Sequence, residues 1–206
     1  MLAIIDYGVG NLFSLASSFK AIGAETVVTD DAEIIKSAER IVLPGVGAFS
    51  DAVNKLRSSG LDKVVLSEAA QGKPLMGICL GMQMLFEKSY EYGEYEGLGL
   101  IKGKVKPLLG AIPEKLKIPH IGWNELHFPK DKEKSNLFKY IKENECVYFV
   151  HSYYGADCDS VIATAEYGKE ITAAVAEGNI YGCQFHPEKS GNTGLNILKG
   201  FMEVLP

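Results

Sequence analysis

Leu75-Met76-Gly77-Ile78-Cys79-Leu80-Gly81-Met82-Gln83 runs from a short apolar stretch directly into a helical pattern, with a cysteine at the junction. Leu75–Cys79 reads as a buried strand, and the segment from Leu80 to about Lys88 reads as a helix. Gly77 and Gly81 each stand two positions from the sulfur and remove side chains that would crowd a sharp strand-to-helix turn. The layout parallels the nucleophile elbow of serine hydrolases, with a thiol in place of the hydroxyl. A helix starting at Leu80 would aim free N–H groups at Cys79 and favour thiolate over thiol. A lone cysteine at a strand end is more often core filler than catalyst, so a catalytic reading needs partners elsewhere in the chain.

Gly182-Cys183-Gln184-Phe185-His186-Pro187-Glu188 supplies them. Ile180–Phe185 reads as a buried strand delivering His186 at its end, and an extended backbone would project Glu188 to the same side. Thiol attack needs a base to take and return a proton, and a carboxylate to hold that base in the right tautomer. Cys79, His186 and Glu188 fill those roles. Cys183-x-x-His186 has the spacing of half a zinc site, but no second close Cys or His pair accompanies it, so no metal is expected. Ile41 to Leu43 is an apolar strand entering the loop Pro44-Gly45-Val46-Gly47 and then a helix. Acyl transfer needs backbone donors aimed at the developing oxyanion. The N–H of Leu80 and the Gly45, Val46 and Gly47 loop are the candidates.

Read along its length, the chain begins as alternating strands and helices. Strands are expected at Leu2–Ile5, Thr26–Thr29, Arg40–Leu43 and Leu75–Cys79. Helices are expected at Leu12–Ile22, capped by Asn11 and stopped by Gly23, and at Ala32–Ser37, Ala48–Arg57 and Leu61–Gln71. From Leu98 short β segments follow: Gly103–Pro107, Glu125–Phe128, Cys146–His151, Val161–Tyr167, Thr172–Glu177 and Ile180–Phe185. A last helix runs from Gly194 to about Val204. The pattern implies an α/β fold in three layers: a mostly parallel sheet, helices on both faces, and an added antiparallel β part. Glu87 to Glu96, crowded with glutamate and tyrosine, reads as a partly mobile loop.

At 206 residues a single domain spanning 1–206 is expected. The net charge of −5 offers no electrostatic case for nucleic acid. Cys79, Cys146, Cys158 and Cys183 in a chain without a leader suit reduced thiols in the cytoplasm. No apolar run approaches the roughly 18 residues of a membrane span. Gly8-Val9-Gly10 opens like a dinucleotide fingerprint, but Phe13 stands where its third glycine belongs, so no nicotinamide or flavin cofactor is expected.

These segments, together with Ile5-Asp6-Tyr7-Gly8-Val9-Gly10-Asn11, Pro119-His120-Ile121-Gly122-Trp123-Asn124, Tyr148-Phe149-Val150-His151-Ser152-Tyr153 and Gln184-Phe185-His186-Pro187-Glu188-Lys189-Ser190, resemble the class I, triad-type glutamine amidotransferases along nearly the whole chain. Within that family the chain is similar to the glutaminase subunits of imidazole glycerol phosphate synthases. The Cys and His-Pro-Glu segments mark the wider family; Gly-Trp-Asn and His-Pro-Glu-Lys-Ser narrow the match. The resemblance implies hydrolysis of the glutamine side-chain amide and delivery of ammonia to a (βα)8-barrel cyclase subunit in histidine biosynthesis, with no cofactor. It also implies that Gln83, Glu91, Tyr148 and Ser152 contact the glutamine, with Glu94 an alternative to Glu91 for the α-ammonium. Asn11 and Lys189 are the expected partner contacts. A paralogous synthase, a cysteine peptidase-like hydrolase and a non-enzymatic binding module stay open as alternatives.

Overall fold

A computed structural model describes residues 1–204. The first half alternates as expected: β1 (Leu2–Ile5), α1 (Leu12–Ala21), β2 (Thr26–Thr29), α2 (Ala32–Ser37), β3 (Arg40–Gly45), α3 (Phe49–Ser58), α4 (Leu61–Ala70) and β4 (Leu75–Cys79). The elbow helix α5 (Leu80–Leu85) follows β4 without a break. Next come β5 (Phe86–Ser89), β6 (Tyr95–Glu96), β7 (Ile101–Pro107), β8 (His120–Glu125), β9 (Cys146–His151) and β10 (Tyr153–Ala156). The chain closes with β11 (Val161–Glu166), β12 (Glu170–Glu177), β13 (Ile180–Cys183) and α6 (Gly191–Met202).

Seven strands form the central sheet in the order β11-β12-β13-β4-β3-β1-β2. The five strands from β13 to β2 pair in parallel, and β12 and β11 add antiparallel at one edge. The inner strands β1 and β4 are buried on both faces, which is why they read as unbroken apolar runs. Alternation splits their side chains between two cores. Leu2 and Ile4 pack with Leu15 and Phe19 of α1 and Ile197, Leu198 and Phe201 of α6, whereas Ala3 and Ile5 pack with Phe49, Val53 and Leu56 of α3 and Val65 of α4.

The later β segments depart from the sequence reading. α5 ends at Leu85 rather than near Lys88, and Glu87 to Glu96 is a paired region instead of a mobile loop. β5 pairs with β6 and β7 in a second sheet, β10-β7-β5-β6, which reverses through Tyr92 and Gly93 in left-handed conformations (φ 53° and 156°). Phe86 drives this pairing, since it is fully buried with Ile101 and Val105. The strand expected at Glu125–Phe128 lies earlier, at His120–Glu125, in a two-stranded ribbon with β9. Its alternation is inverted: His120 is buried, while Ile121 and Trp123 face outward, so hydrophobicity points the wrong way. Asn11 occupies the start of α1, but its side chain makes no capping bond. Asp31 does cap α2, accepting from the N–H groups of Glu33 and Ile34 (2.8 and 3.3 Å).

Register sets the place of the site. Gly45 of β3 lies beside Cys79 of β4, and Cys183 of β13 lies beside Ile78. The carboxyl ends of three adjacent parallel strands therefore deliver the glycine loop, the cysteine and the histidine to one crevice, where ligands of open α/β sheets bind.

Candidate active site

Cys79 holds φ 56° and ψ −112°, a region that residues with a Cβ rarely adopt. Such strain is of the order of 1–3 kcal/mol and persists only where the surroundings enforce it. Glycines provide the enforcement. A Cβ on Gly81 would overlap the Leu43 carbonyl, one on Gly77 would lie 2.6 Å from Gly81 O, and one on Gly45 would lie 2.6 Å from Gly81 N. The first turn of α5 thus presses against β3 and β4 at backbone distance. Gly45 serves this packing and does not line the pocket, whereas Val46, Gly47 and Leu80 do. Gly47 sits in open space at φ 92°, a glycine conformation by torsion rather than by crowding. The loop is pinned from β1, since the Tyr7 hydroxyl donates to Pro44 O (2.6 Å) and Gly10 packs against the Pro44 ring.

Cys79 opens into a cavity of about 310 Å³, also lined by His186, Gln83, Glu91, Tyr92, Pro119 and the run Val150 to Tyr153. Ligand pockets begin at about this size. His186 leaves β13 with its backbone N–H on Tyr148 O (2.9 Å). Its Nδ1–H donates to Glu188 Oε1 (2.8 Å), and both side chains are only 3% exposed. That bond fixes the tautomer and leaves Nε2 for chemistry. Glu188 arrives by a different route from the one expected: Pro187–Lys189 is a 3-10 turn, not extended backbone. Burial pulls the His186 imidazole toward neutrality, but the hydrogen bonds and charges of Cys79 and Glu188 outweigh it and push its pKa up to about 9. His186 is therefore an imidazolium at neutral pH, the form that protonates a leaving amine.

The expected substrate contacts divide. Ser152, Gln83 and Glu91 line the cavity. Glu94 does not: it is ion-paired with Lys88 (2.5 Å) on the surface. Glu91 Oε2 accepts from Phe49 N (2.6 Å) at the start of α3, and burial raises its pKa, with the Phe49 bond pulling it back. Tyr148 stays outside the cavity, between the edge of the Trp123 ring (6.2 Å between centroids) and the Lys189 ammonium (5.9 Å above its own ring).

Two features escaped the sequence reading. Gln184, fully buried, places Nε2 at 3.8 Å from Cys79 Sγ. His151, in the pocket wall, donates from Nδ1 to Tyr153 O (2.8 Å) and accepts from His120 Nδ1 (3.0 Å), while His120 Nε2 accepts from Asn124 (3.3 Å). Burial lowers the pKa of His120 to about 4 and that of His151 to about 3, so the pair remains neutral and its tautomers are locked. The signal for His151 was a polar residue facing inward on the mostly apolar strand β9, whereas Gln184 lies just past the end of β13.

The model of the glutamine amidotransferase class-I family matches residues 3–204. The chain belongs to that family. This class-I amidotransferase is 49% identical to the imidazole glycerol phosphate synthase subunit HisH of Caldanaerobacter subterraneus subsp. tengcongensis, over all of its own length and 98% of the relative's. It is 47% identical to the subunit of the same name from Oceanobacillus iheyensis, with both chains covered in full. Among solved structures, a crystal structure of a glutamine amidotransferase superposes with a TM-score of 0.75 at 17% identity, over 98% of this chain and 97% of that one. The amidotransferase fold is thereby shared well beyond close sequence similarity.

Proposed function

We propose that this amidotransferase is the glutaminase subunit of an imidazole glycerol phosphate synthase in histidine biosynthesis, acting in the cytoplasm. The reading rests on one observation above others: a strained Cys79 shares a cavity with the His186 imidazole, whose other nitrogen is bound to a buried carboxylate. Relatives that carry the synthase-subunit name over their full length support the choice of synthase.

In the proposed reaction the Cys79 thiolate attacks the side-chain amide carbon of glutamine. The tetrahedral intermediate collapses with cleavage of the C–N bond, and His186 gives its proton to the departing ammonia. Water, deprotonated by His186, then attacks the thioester; the C–S bond breaks, its electron pair returns to sulfur, and glutamate leaves. Glu188 holds the imidazole and balances its charge. The N–H of Leu80 and the Val46–Gly47 loop stabilise both oxyanions. Glu91 takes the substrate ammonium through Oε1, its other oxygen being held by Phe49, while Gln83 and Ser152 contact the remaining polar groups.

Ammonia released to water would be protonated and lost, so it passes to a cyclase subunit docked over the site. The face beside the Pro187–Lys189 turn suits such docking. It presents Trp123 and Ile121, each 58% exposed, next to Tyr148 and Lys189, and α1, which Asn11 opens, packs against the same turn. The test is Cys79→Ala in the assembled synthase: glutamine-dependent turnover should vanish while turnover on ammonium salts is kept. Retained glutamine-dependent turnover would overturn the reading.

A further inference from the structure

One carbonyl sets the direction of two side chains beneath the nucleophile. Tyr153 O can only accept, so Gln83, whose terminal atom lies 3.0 Å from it, must turn its amino group that way. The same Nε2 lies 2.9 Å from Gln184, and because Nε2 donates, the Gln184 atom facing it is Oε1. Gln184 is thereby obliged to present its own Nε2 to Cys79 Sγ at 3.8 Å. Its side chain is fully buried, and its backbone N–H is tied to Ala173 O (2.8 Å). Among the described residues the sulfur is the one acceptor within reach of that buried nitrogen.

We propose that Gln184 is a further catalytic residue: its buried amide donates to the Cys79 sulfur and stabilises the thiolate, and Gln83 is the positioning residue that keeps this amide the right way round. The proposal rests on the reading of Cys79 as the nucleophile. A donor favours an anionic acceptor, and charge-assisted hydrogen bonds are roughly twice as strong as neutral ones. The thiol form instead directs its proton to Val150 O at 4.0 Å. Gln184 therefore acts twice. It holds the thiolate ready for attack, and it receives the charge that returns to sulfur when the thioester breaks. It approaches from the sequence position between Cys183 and the His186 segment, so the strand that delivers the base also delivers the donor.

Gln184→Met keeps the length of the side chain and removes the donor. Alkylation of Cys79 by iodoacetamide, resolved by peptide because Cys146 is exposed, is followed against pH in the full chain. The midpoint should rise by about one pH unit and the rate at pH values below it fall about tenfold, the size expected for a hydrogen bond to a charged group. Gln83→Met should shift it in the same direction by less, since Gln184 then loses only its orientation. In the wild-type chain, the side-chain ¹⁵N–¹H resonance of Gln184 should titrate with the Cys79 midpoint, and Cys79→Ala should abolish that titration. A flat resonance overturns the proposal whatever the variants do, as does an unchanged midpoint in folded Gln184→Met. Alkylation needs no glutamine, so the two readings fail separately. A shifted midpoint in a chain whose complex hydrolyses no glutamine removes only the glutaminase reading; an unshifted one beside intact glutaminase activity removes only the role of Gln184.

Discussion

The protonation state of His186 makes the residue-scale chemistry measurable. Its pKa is raised in the fold from 6.5 to about 9, so the imidazolium persists through neutral pH. Loss of that proton should produce an alkaline fall in kcat/KM with a midpoint near 9 in the free enzyme. Glu188→Gln removes the charge and weakens the bond at Nδ1, so the midpoint should move down, while turnover falls less than in His186→Ala. A Glu188→Gln enzyme as inactive as His186→Ala would mean that the carboxylate does more than orient. The same shift bears on stability. A folded pKa above the unfolded one gives stabilisation that is complete below about pH 6.5 and lost as pH rises through about 9. Denaturant titrations of wild type and His186→Ala between pH 6 and 10 should therefore converge toward the alkaline end. Glu91 offers a separate test. Burial already disfavours its charge, and a substrate ammonium would restore it, so Glu91→Gln should raise KM for glutamine roughly ten- to hundredfold with kcat little changed. A fall in kcat alone would move Glu91 out of ground-state binding.

At the scale of elements, the strand-to-helix elbow is held by contacts between backbones rather than by side chains. Gly81→Ala would drive a methyl into the Leu43 carbonyl, which belongs to a central strand and cannot step aside. Overpacking of this kind costs about 1–3 kcal/mol. Gly47→Ala meets open space and carries only the torsional cost of a positive φ, about 1–2 kcal/mol. Urea unfolding should therefore rank Gly81→Ala as the more damaging, and its loss of activity should exceed what its stability alone accounts for, because the Cys79 torsions depend on that contact. The reverse ranking would show that the loop, not the elbow, bears the strain. This architecture explains what could be read from the chain. β1 and β4 were legible to the residue, because strands buried on both faces leave continuous apolar runs; the bounds of β2 and α2 also matched, although Val28 of β2 is exposed at the sheet edge. β8 was displaced because Ile121 and Trp123 point outward, against the rule that hydrophobicity marks the inner face. β5 and β6 were hidden by charges that lie on a paired hairpin, with only Phe86 signalling burial. The structure brings Cys79, His186, Glu188, Gln83, Glu91 and Ser152 together, because sharp motifs at strand ends need little three-dimensional context. Gln184 and the His120–His151 pair were not legible, since a polar residue inside a strand declares its role only once its neighbours are known.

For the whole molecule, the decisive quantity is how the cavity behaves with and without a partner. Val46 is 42% exposed at the mouth of the cavity, and Gly47 beside it holds φ 92° with nothing within 4 Å of where its Cβ would be. The loop is fixed on one side by Tyr7 and Gly10 through Pro44, and on the other by α3, whose first N–H is held by Glu91. A docked cyclase would thus touch a short hinge whose two ends are tied to β1 and to Glu91, the carboxylate proposed to bind the substrate ammonium. Under the proposed mechanism, rotation of one peptide in that hinge would decide whether an N–H faces the oxyanion. Loss of one such donor costs about 2.7–4 kcal/mol of transition-state stabilisation, roughly a hundred- to thousandfold in rate. Steady-state glutamine hydrolysis should accordingly be slow for the isolated chain, faster with the cyclase, and fastest when the cyclase also holds its nucleotide ligand, with the last step the largest. The rise should appear mainly in kcat, because a donor to the oxyanion would act on the transition state rather than on glutamine binding. Gly47→Ala should blunt the ligand-dependent step while leaving assembly intact, since the strained torsion restricts the peptide to one orientation. A chain that hydrolyses glutamine quickly by itself and ignores both additions would show that the loop is already set, and would locate control of ammonia release in the partner alone.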